Sequence, residues 1–199
     1  MLEILIATYN LGKAKEIKDI LDDSKIKILT MKDFPNLPKI VEDGITYQEN
    51  AFKKASKISE YTGKICLADD SGLEIDYLKG QPGIYSSRWG KSDEERINKV
   101  LKLMENVPIN KRNAKFVCVT MLVFPNGEKY MVKEECKGSI EFMPKGEHGF
   151  GYDPIFMVPE YNKTFAELGE KVKNQISHRG KAMKKMGNII NELIVNQKT

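Results

Sequence analysis

Short apolar runs alternate along this chain with stretches whose apolar residues recur at helical spacing, and that alternation predicts its elements. The run LEILIAT has a strand pattern, Thr8 to Lys13 forms a polar turn, and KAKEIKDILDD keeps Ile17, Ile20 and Leu21 on one helical face. IKILT repeats the strand pattern, while FPNLPK, with its two prolines, reads as loop. TYQENAFKKASKISEYTGK sets Thr46 and Glu49 at capping-box spacing and stops at Gly63, which predicts a long helix. It delivers the chain to a strand, ICLA, and then to the run ADDSG, whose residue types suit a turn.

Further on, SDEERINKVLKLMENV repeats the capping-box spacing with Ser92 and Glu95 and keeps Ile97, Val100, Leu101 and Met104 in helical period. AKFVCVTMLVF and KYMVKEECKG flank PNGE, a hairpin signal. FGYDPIF follows in a glycine-rich loop, and Ser177 to Val195 reads as a closing helix that exposes its lysines. No repeat, low-complexity run or linker divides the chain. The expected fold is therefore α/β, a mixed sheet flanked by helices.

Composition narrows the classes. With 199 residues, 41% hydrophobic and 30% charged, the chain can build one large domain or two intimate lobes with a proper core. No apolar segment approaches the roughly 20 residues that cross a bilayer, and MLEILIATYN has neither a basic n-region nor a small-residue cleavage site, so the expectation is a cytoplasmic protein without membrane partners. Cys66, Cys118 and Cys136 stand singly in apolar or strand-like runs, as core residues of a reduced protein do. The net charge of +4 would admit an acidic partner, but Lys and Arg are interleaved with Asp and Glu. KAMKKM reads as a solvated helix face, and without an RRM, KH or zinc-finger pattern no nucleic-acid partner is expected.

The candidate chemistry lies in separated segments. TYNLGK places Thr8, Asn10 and Lys13 between a strand end and a helix start, where unpaired N–H groups welcome an anion such as a triphosphate. A plain helix cap is the competing reading. Glu49 in VEDGITYQENAFKKA can be a cap and nothing more, and of the adjacent Lys53 and Lys54 at most one can face a site. In an extended ADDSG, Asp69 and Asp70 point to opposite faces and so have different jobs. Glu42 and Asp70 would suffice as protein ligands for Mg2+ when the substrate brings phosphate oxygens. In GFGYDP, Phe150 and Tyr152 can wrap a base or plug the core. His178 and Arg179 open the last helix, shortly after Lys173, and with no cysteine nearby His178 is a hydrogen-bonding or stacking residue rather than a metal ligand.

Taken in order, TYNLGK, EDGITYQENAFKKA, LADDSGLEIDYLKGQPGIYSSRW, GFGYDPIF and ISHRGKAM resemble the inosine triphosphate pyrophosphatase-like family over nearly the whole chain. The resemblance implies a single ITPase-like domain over residues 1–199, with two lobes enclosing an active-site cleft. It also implies hydrolysis of ITP, dITP and XTP to the monophosphate and pyrophosphate, with Mg2+ or Mn2+, usually in a homodimer. On this sequence Thr8, Tyr9, Asn10, Leu11, Gly12 and Lys13 would hold the triphosphate, Glu42 and Asp70 would bind the metal, and Asp70 would be the proton acceptor. Lys54, Ser71 and Lys173 would contact phosphate or sugar, and Phe150, Gly151, Tyr152 and Asp153 with His178 and Arg179 would enclose the base. Tyr9 stands where the family usually has Gly, and Ser87 where Ala is common; neither removes a functional group. A nucleotide-binding regulator of the same fold that has lost turnover is the alternative implied.

Overall fold

The structure is a computed structural model that describes residues 1–23, 25–34 and 36–196; Pro35 of the expected FPNLPK loop lies outside them. Strand β1 (Leu2–Ile6) pairs in parallel with β2 (Ile26–Thr30), from Leu2 opposite Ile26 to Ile6 opposite Thr30, so the chain must return between them, and helix α1 (Leu11–Ile20) does so. Asn10 starts α1, its Oδ1 accepting the Lys13 N–H at 3.0 Å. Helix α2 (Tyr47–Thr62) is bounded as the pattern predicts. Thr46 Oγ1 accepts the Glu49 N–H, Glu49 returns a carboxylate oxygen to the Ile45 N–H at 2.8 Å, and Gly63 closes the helix at φ 64°, a conformation in which a Cβ is strained.

Strand β3 (Ile65–Ile75) runs parallel to β1, Ile4 facing Ile65. After it come α3 (Asp93–Leu103), β4 (Asn113–Val123) and β5 (Lys129–Ile140). The turn between β4 and β5 is the predicted hairpin, with the Phe124 N–H donating to the Glu128 carbonyl at 2.8 Å and Gly127 at φ 88°. The short strands β6 (Phe156–Val158) and β7 (Lys163–Thr164) pair antiparallel, and α4 (Phe165–Ile176) and α5 (His178–Asn196) follow. The sheet has seven strands in the order β2-β1-β3-β4-β5-β6-β7, parallel at one end and antiparallel at the other, which is the mixed α/β architecture expected.

Two elements differ from the sequence pattern. β3 does not stop at ICLA but continues through Asp69, Asp70, Ser71 and Gly72 to Ile75. It lies between β1 and β4; its register with β1 runs only from Ile65 to Leu67, and beyond that point membership of the sheet, with β4 as the other neighbour, outweighs the turn preference of Asp-Asp-Ser-Gly. Helix α4, absent from the pattern, begins in a capping box: Thr164 Oγ1 accepts the Glu167 N–H and the Glu167 carboxylate accepts the Thr164 N–H, at 3.2 and 2.8 Å. Gly169, at φ 75° and ψ 167°, breaks its helical run and with it the apolar period.

Residues cluster into two compact units, one made of 1–70, 118–134 and the chain from 179 on, the other of 71–117 and 135–178. The core of the first gathers Ile4, Ile6, Ile17, Leu67, Leu122, Met183, Met186 and Ile190. The apolar face of α5 supplies the last three, while Lys181, Lys184 and Lys185 stay exposed. The second core joins Leu73, Val100, Met104 and Ile155 to an aromatic group in which Phe116 lies 4.6 Å from Phe156. Each such fully buried aliphatic or aromatic side chain contributes about 1.5 to 3 kcal/mol. Arg112, also in this unit and 1% exposed, gives its guanidinium to the carbonyls of Ile140, Met104 and Glu141 at 2.7, 2.6 and 2.8 Å. The three cysteines are buried and free, as expected.

Candidate active site

The first unit buries a group of charges around the middle of β3. Asp69 is 1% exposed and Asp70 6%, and the pleat gives them different neighbours. Asp69 Oδ2 meets Lys13 Nζ at 3.1 Å and Arg179 Nε and Nη2 at 3.2 and 3.1 Å. Arg179 Nη1 donates to Glu16 Oε2 at 2.5 Å. Burial alone would push the Asp69 carboxyl up, but Lys13, then Arg179 and Lys54 outweigh it and hold the group well below the usual carboxylate range. Burial likewise works against the Arg179 charge, and Asp69 and Glu16 more than restore it.

Asp70 has gentler company. Its Oδ2 accepts from Asn50 Nδ2 at 3.2 Å, and its Oδ1 lies 3.7 Å from Lys54 Nζ. The same ammonium reaches Glu42 Oε2 at 3.1 Å and donates to the Asp69 carbonyl at 2.7 Å. Burial pushes the Asp70 carboxyl above its ordinary value, Glu42 and Asp69 add to that, and Lys54 and Lys13 offset only part. Lys54, although buried, is held protonated by Asp70, Asp69 and Glu42. One aspartate is thus held as a negative charge and its neighbour is a carboxyl of raised basicity, the contrast of environments that separates the two members of an acid pair.

Glu42 and Asp70 already converge on one cation, the Lys54 ammonium. Their oxygens fit a hard divalent ion, which needs only one or two protein carboxylates when phosphates complete its shell. Among the described residues no group of three or more His, Cys, Asp or Glu side chains forms a protein-only metal cage. Beside this cluster the turn from Thr8 to Lys13 leads from β1 into α1. Thr8 Oγ1 accepts the Asn10 N–H at 3.2 Å, Gly12 follows at the helix start, and Tyr9 and Leu11 are 69% and 68% exposed.

The second unit holds the GFGYDP loop. Gly149 and Gly151 take φ 82° and 64°. Asp153 Oδ2 accepts the Phe150 N–H at 2.9 Å and Lys173 Nζ at 2.5 Å, and that ammonium lies 4.5 Å from the centre of the half-buried Phe150 ring. Tyr152 is a core residue whose hydroxyl donates to the Ser86 carbonyl at 2.9 Å. The Gly151 N–H donates to Asp93 Oδ2 at 2.6 Å, and Asp93 also pairs with Arg96. His178, 3% exposed, stacks on Phe116 with ring centres 4.6 Å apart and planes 8° from parallel. Ser71 lies half-buried on β3.

Of the residues singled out in the sequence, Lys13, Glu42, Lys54, Asp70 and Arg179 come together in the first unit, and Phe150, Tyr152, Asp153, Lys173 and His178 belong to the second. The adjacent His178 and Arg179 therefore face different surroundings, and the Arg179 guanidinium is directed at Asp69 and Glu16. Glu16, Asn50 and Asp93 were not singled out. Asn50 carried a usable signal, since it stands four residues before Lys54 and so shares its helical face. Glu16 carried none, because its partner lies 163 positions away.

Comparison with known proteins identifies relatives of the chain as a whole. The model of the Ham1 family matches residues 4–189. A protein of Desulforamulus reducens named dITP/XTP pyrophosphatase is 46% identical over 98% of this chain and 99% of its own length. A HAM1 protein from Coxiella burnetii superposes with a TM-score of 0.88 at 42% identity, covering 96% of this chain and all of that one. The Mycobacterium abscessus structure described as a nucleoside-triphosphatase and dITP/XTP pyrophosphatase has a TM-score of 0.75 at 36% identity, over 93% of this chain and 98% of that one.

Proposed function

Because the chain belongs to the Ham1 family, we propose that it hydrolyses the non-canonical purine nucleoside triphosphates ITP, dITP and XTP to the monophosphate and pyrophosphate. The observation that carries this reading is the set of Lys13, Lys54, Glu42, Asp69 and Asp70, two ammonium groups and three carboxylates beside a helix-opening turn, with Lys54, Asp69 and Asp70 buried and Lys13 and Glu42 partly exposed. The names of the relatives from Desulforamulus reducens and Mycobacterium abscessus support the substrate class.

The residues divide the work as follows. The turn from Thr8 to Lys13 receives the triphosphate with backbone and side-chain donors, and Asp69, fixed by Arg179, holds the Lys13 ammonium in place. Glu42 and Asp70 would hold Mg2+, or Mn2+ in its place, which would supply a counter-charge for the phosphate oxygens. Asp70 accepts the proton of a water aligned with the α-phosphorus, opposite the pyrophosphate leaving group. Lys13 and Lys54 offset the charge that grows on transferred and leaving oxygens. Ser71 and Lys173 serve phosphate or sugar. His178 and the loop Phe150–Asp153 are assigned to the base, where N–H donors suit a 6-keto oxygen and the 6-amino group of adenine would set donor against donor.

Family likeness further supports residues 1–199 acting as one ITPase-like domain with two lobes, assembly as a homodimer and a cytoplasmic location; no helix among the described residues is long and apolar enough to cross a membrane. The test is a panel of ITP, dITP, XTP, GTP and ATP with pyrophosphate release as the readout. The expected result is release from the first three in preference to ATP. Binding of ITP without release, or equal release from all five, overturns the proposal.

A further inference from the structure

Asn50 is 0% exposed, yet it ends in an amide, and the site so far described gives it no task. A buried amide costs free energy unless its donors and acceptor are matched. Here they are matched in a particular way. Asn50 Oδ1 accepts the Gly44 N–H at 2.8 Å, while Nδ2 donates to Asp70 Oδ2 at 3.2 Å and approaches the Gly44 carbonyl at 3.5 Å. The amide cannot be turned round, because its oxygen would then face the Asp70 carboxylate and its NH2 the Gly44 N–H. One side chain therefore ties Asp70 to the backbone two residues after Glu42.

We propose that Asn50 is a positioning residue which clasps the segment from Glu42 to Gly44 against Asp70 and so sets the two carboxylates for one divalent cation. The proposal rests on the reading of Glu42 and Asp70 as the metal ligands. The Nδ2 donor engages Oδ2 of Asp70 and leaves Oδ1 on the side of Lys54, where Glu42 also points. The position of Gly44 follows from the same contact. A Cβ there would lie 2.8 Å from Asn50 Oδ1 and 2.8 Å from Glu49 Cβ, so any larger residue pushes the segment off the amide. Groups that orient metal ligands in this way change metal affinity by about 10- to 100-fold when removed.

Two variants test the clasp from opposite ends. Asn50→Ala removes the amide, and Gly44→Ala displaces its partner in a half-buried loop while Asn50 stays intact. The probe is Mn2+ alone, without nucleotide, titrated into the full-length protein and followed by paramagnetic broadening of the amide NMR signals of residues 42–44 and 69–71, which reads weak binding as well as strong. Exchange of the Gly44 amide with deuterium in metal-free protein is the second readout. In both variants, Mn2+ binding should weaken at least about ten-fold, and the amide of residue 44 should exchange faster, relative to the intrinsic rate of the residue there, than it does in the parent. Mn2+ affinity equal to that of the parent protein in either folded variant overturns the clasp, even where the melting temperature has dropped. Asp70→Asn keeps the two questions apart: if it binds Mn2+ as the parent does, the metal reading fails, and if it loses Mn2+ while Gly44→Ala keeps it, only the clasp fails.

Discussion

Asp69 and Asp70 are one position apart and displaced in opposite directions of acidity, the first by three cations, Lys13, Arg179 and Lys54, that outweigh its burial, the second by burial that its lysines only partly offset. Asp70→Asn should abolish pyrophosphate release while circular dichroism and the melting temperature remain close to those of the parent. The stability linked to Asp69 has a definite sign. Its folded pKa lies below the unfolded value of about 3.9, so its contribution is complete above that value and is lost as the pH falls toward the folded pKa. Asp70, raised, acts oppositely, and its contribution shrinks as the pH climbs through its folded value. Acid melts should therefore steepen below about pH 4 in the parent and less so in Asp69→Asn. Arg179→Ala breaks a buried charge group and should cost about 3 to 5 kcal/mol of stability. Because its guanidinium lies against Asp69 and Glu16, kcat/KM for ITP, XTP, GTP and ATP should fall by one common factor. A loss confined to ITP and XTP would place Arg179 at the base. None of this was legible for Glu16, which reads in KAKEIKD as one more solvated charge; burial beside Arg179 is a long-range property that local pattern does not carry.

At the scale of elements, the caps were the legible part. Thr46, Glu49, Gly63, Ser92 and Glu95 announce the bounds of α2 and α3 because a cap is chemistry between residues three or four apart. β3 was only half legible, since its later residues are extended through pairing with distant strands, and α4 was hidden by one glycine out of helical conformation. Gly63 offers a clean check on the energetics of α2. With φ at 64° and open space where a Cβ would go, Gly63→Ala suffers backbone strain alone, about 1 kcal/mol, and the melting temperature should fall by about 2 to 4 °C. Turnover should not change, because the substitution leaves Asn50 and Lys54 where they are.

For the molecule as a whole, folding and metal binding should be separable. Lys13, Lys54 and Arg179 already face the carboxylates of the site, so no uncompensated cluster of negative charge awaits an ion. EDTA in excess should stop pyrophosphate release and leave the melting temperature of the nucleotide-free protein nearly unchanged. The three cysteines carry a different consequence. Cys66, Cys118 and Cys136 lie on the three neighbouring strands β3, β4 and β5, all shut away from solvent. Burial pushes the Cys66 thiol up to about 12 and raises the Cys118 thiol as well. A thiol reagent at pH 8 can then react only after a strand has opened. The native chain thus contains its own clock for sheet opening, and the order in which the three sulfurs are modified ranks the lifetimes of three adjacent strands with no label introduced.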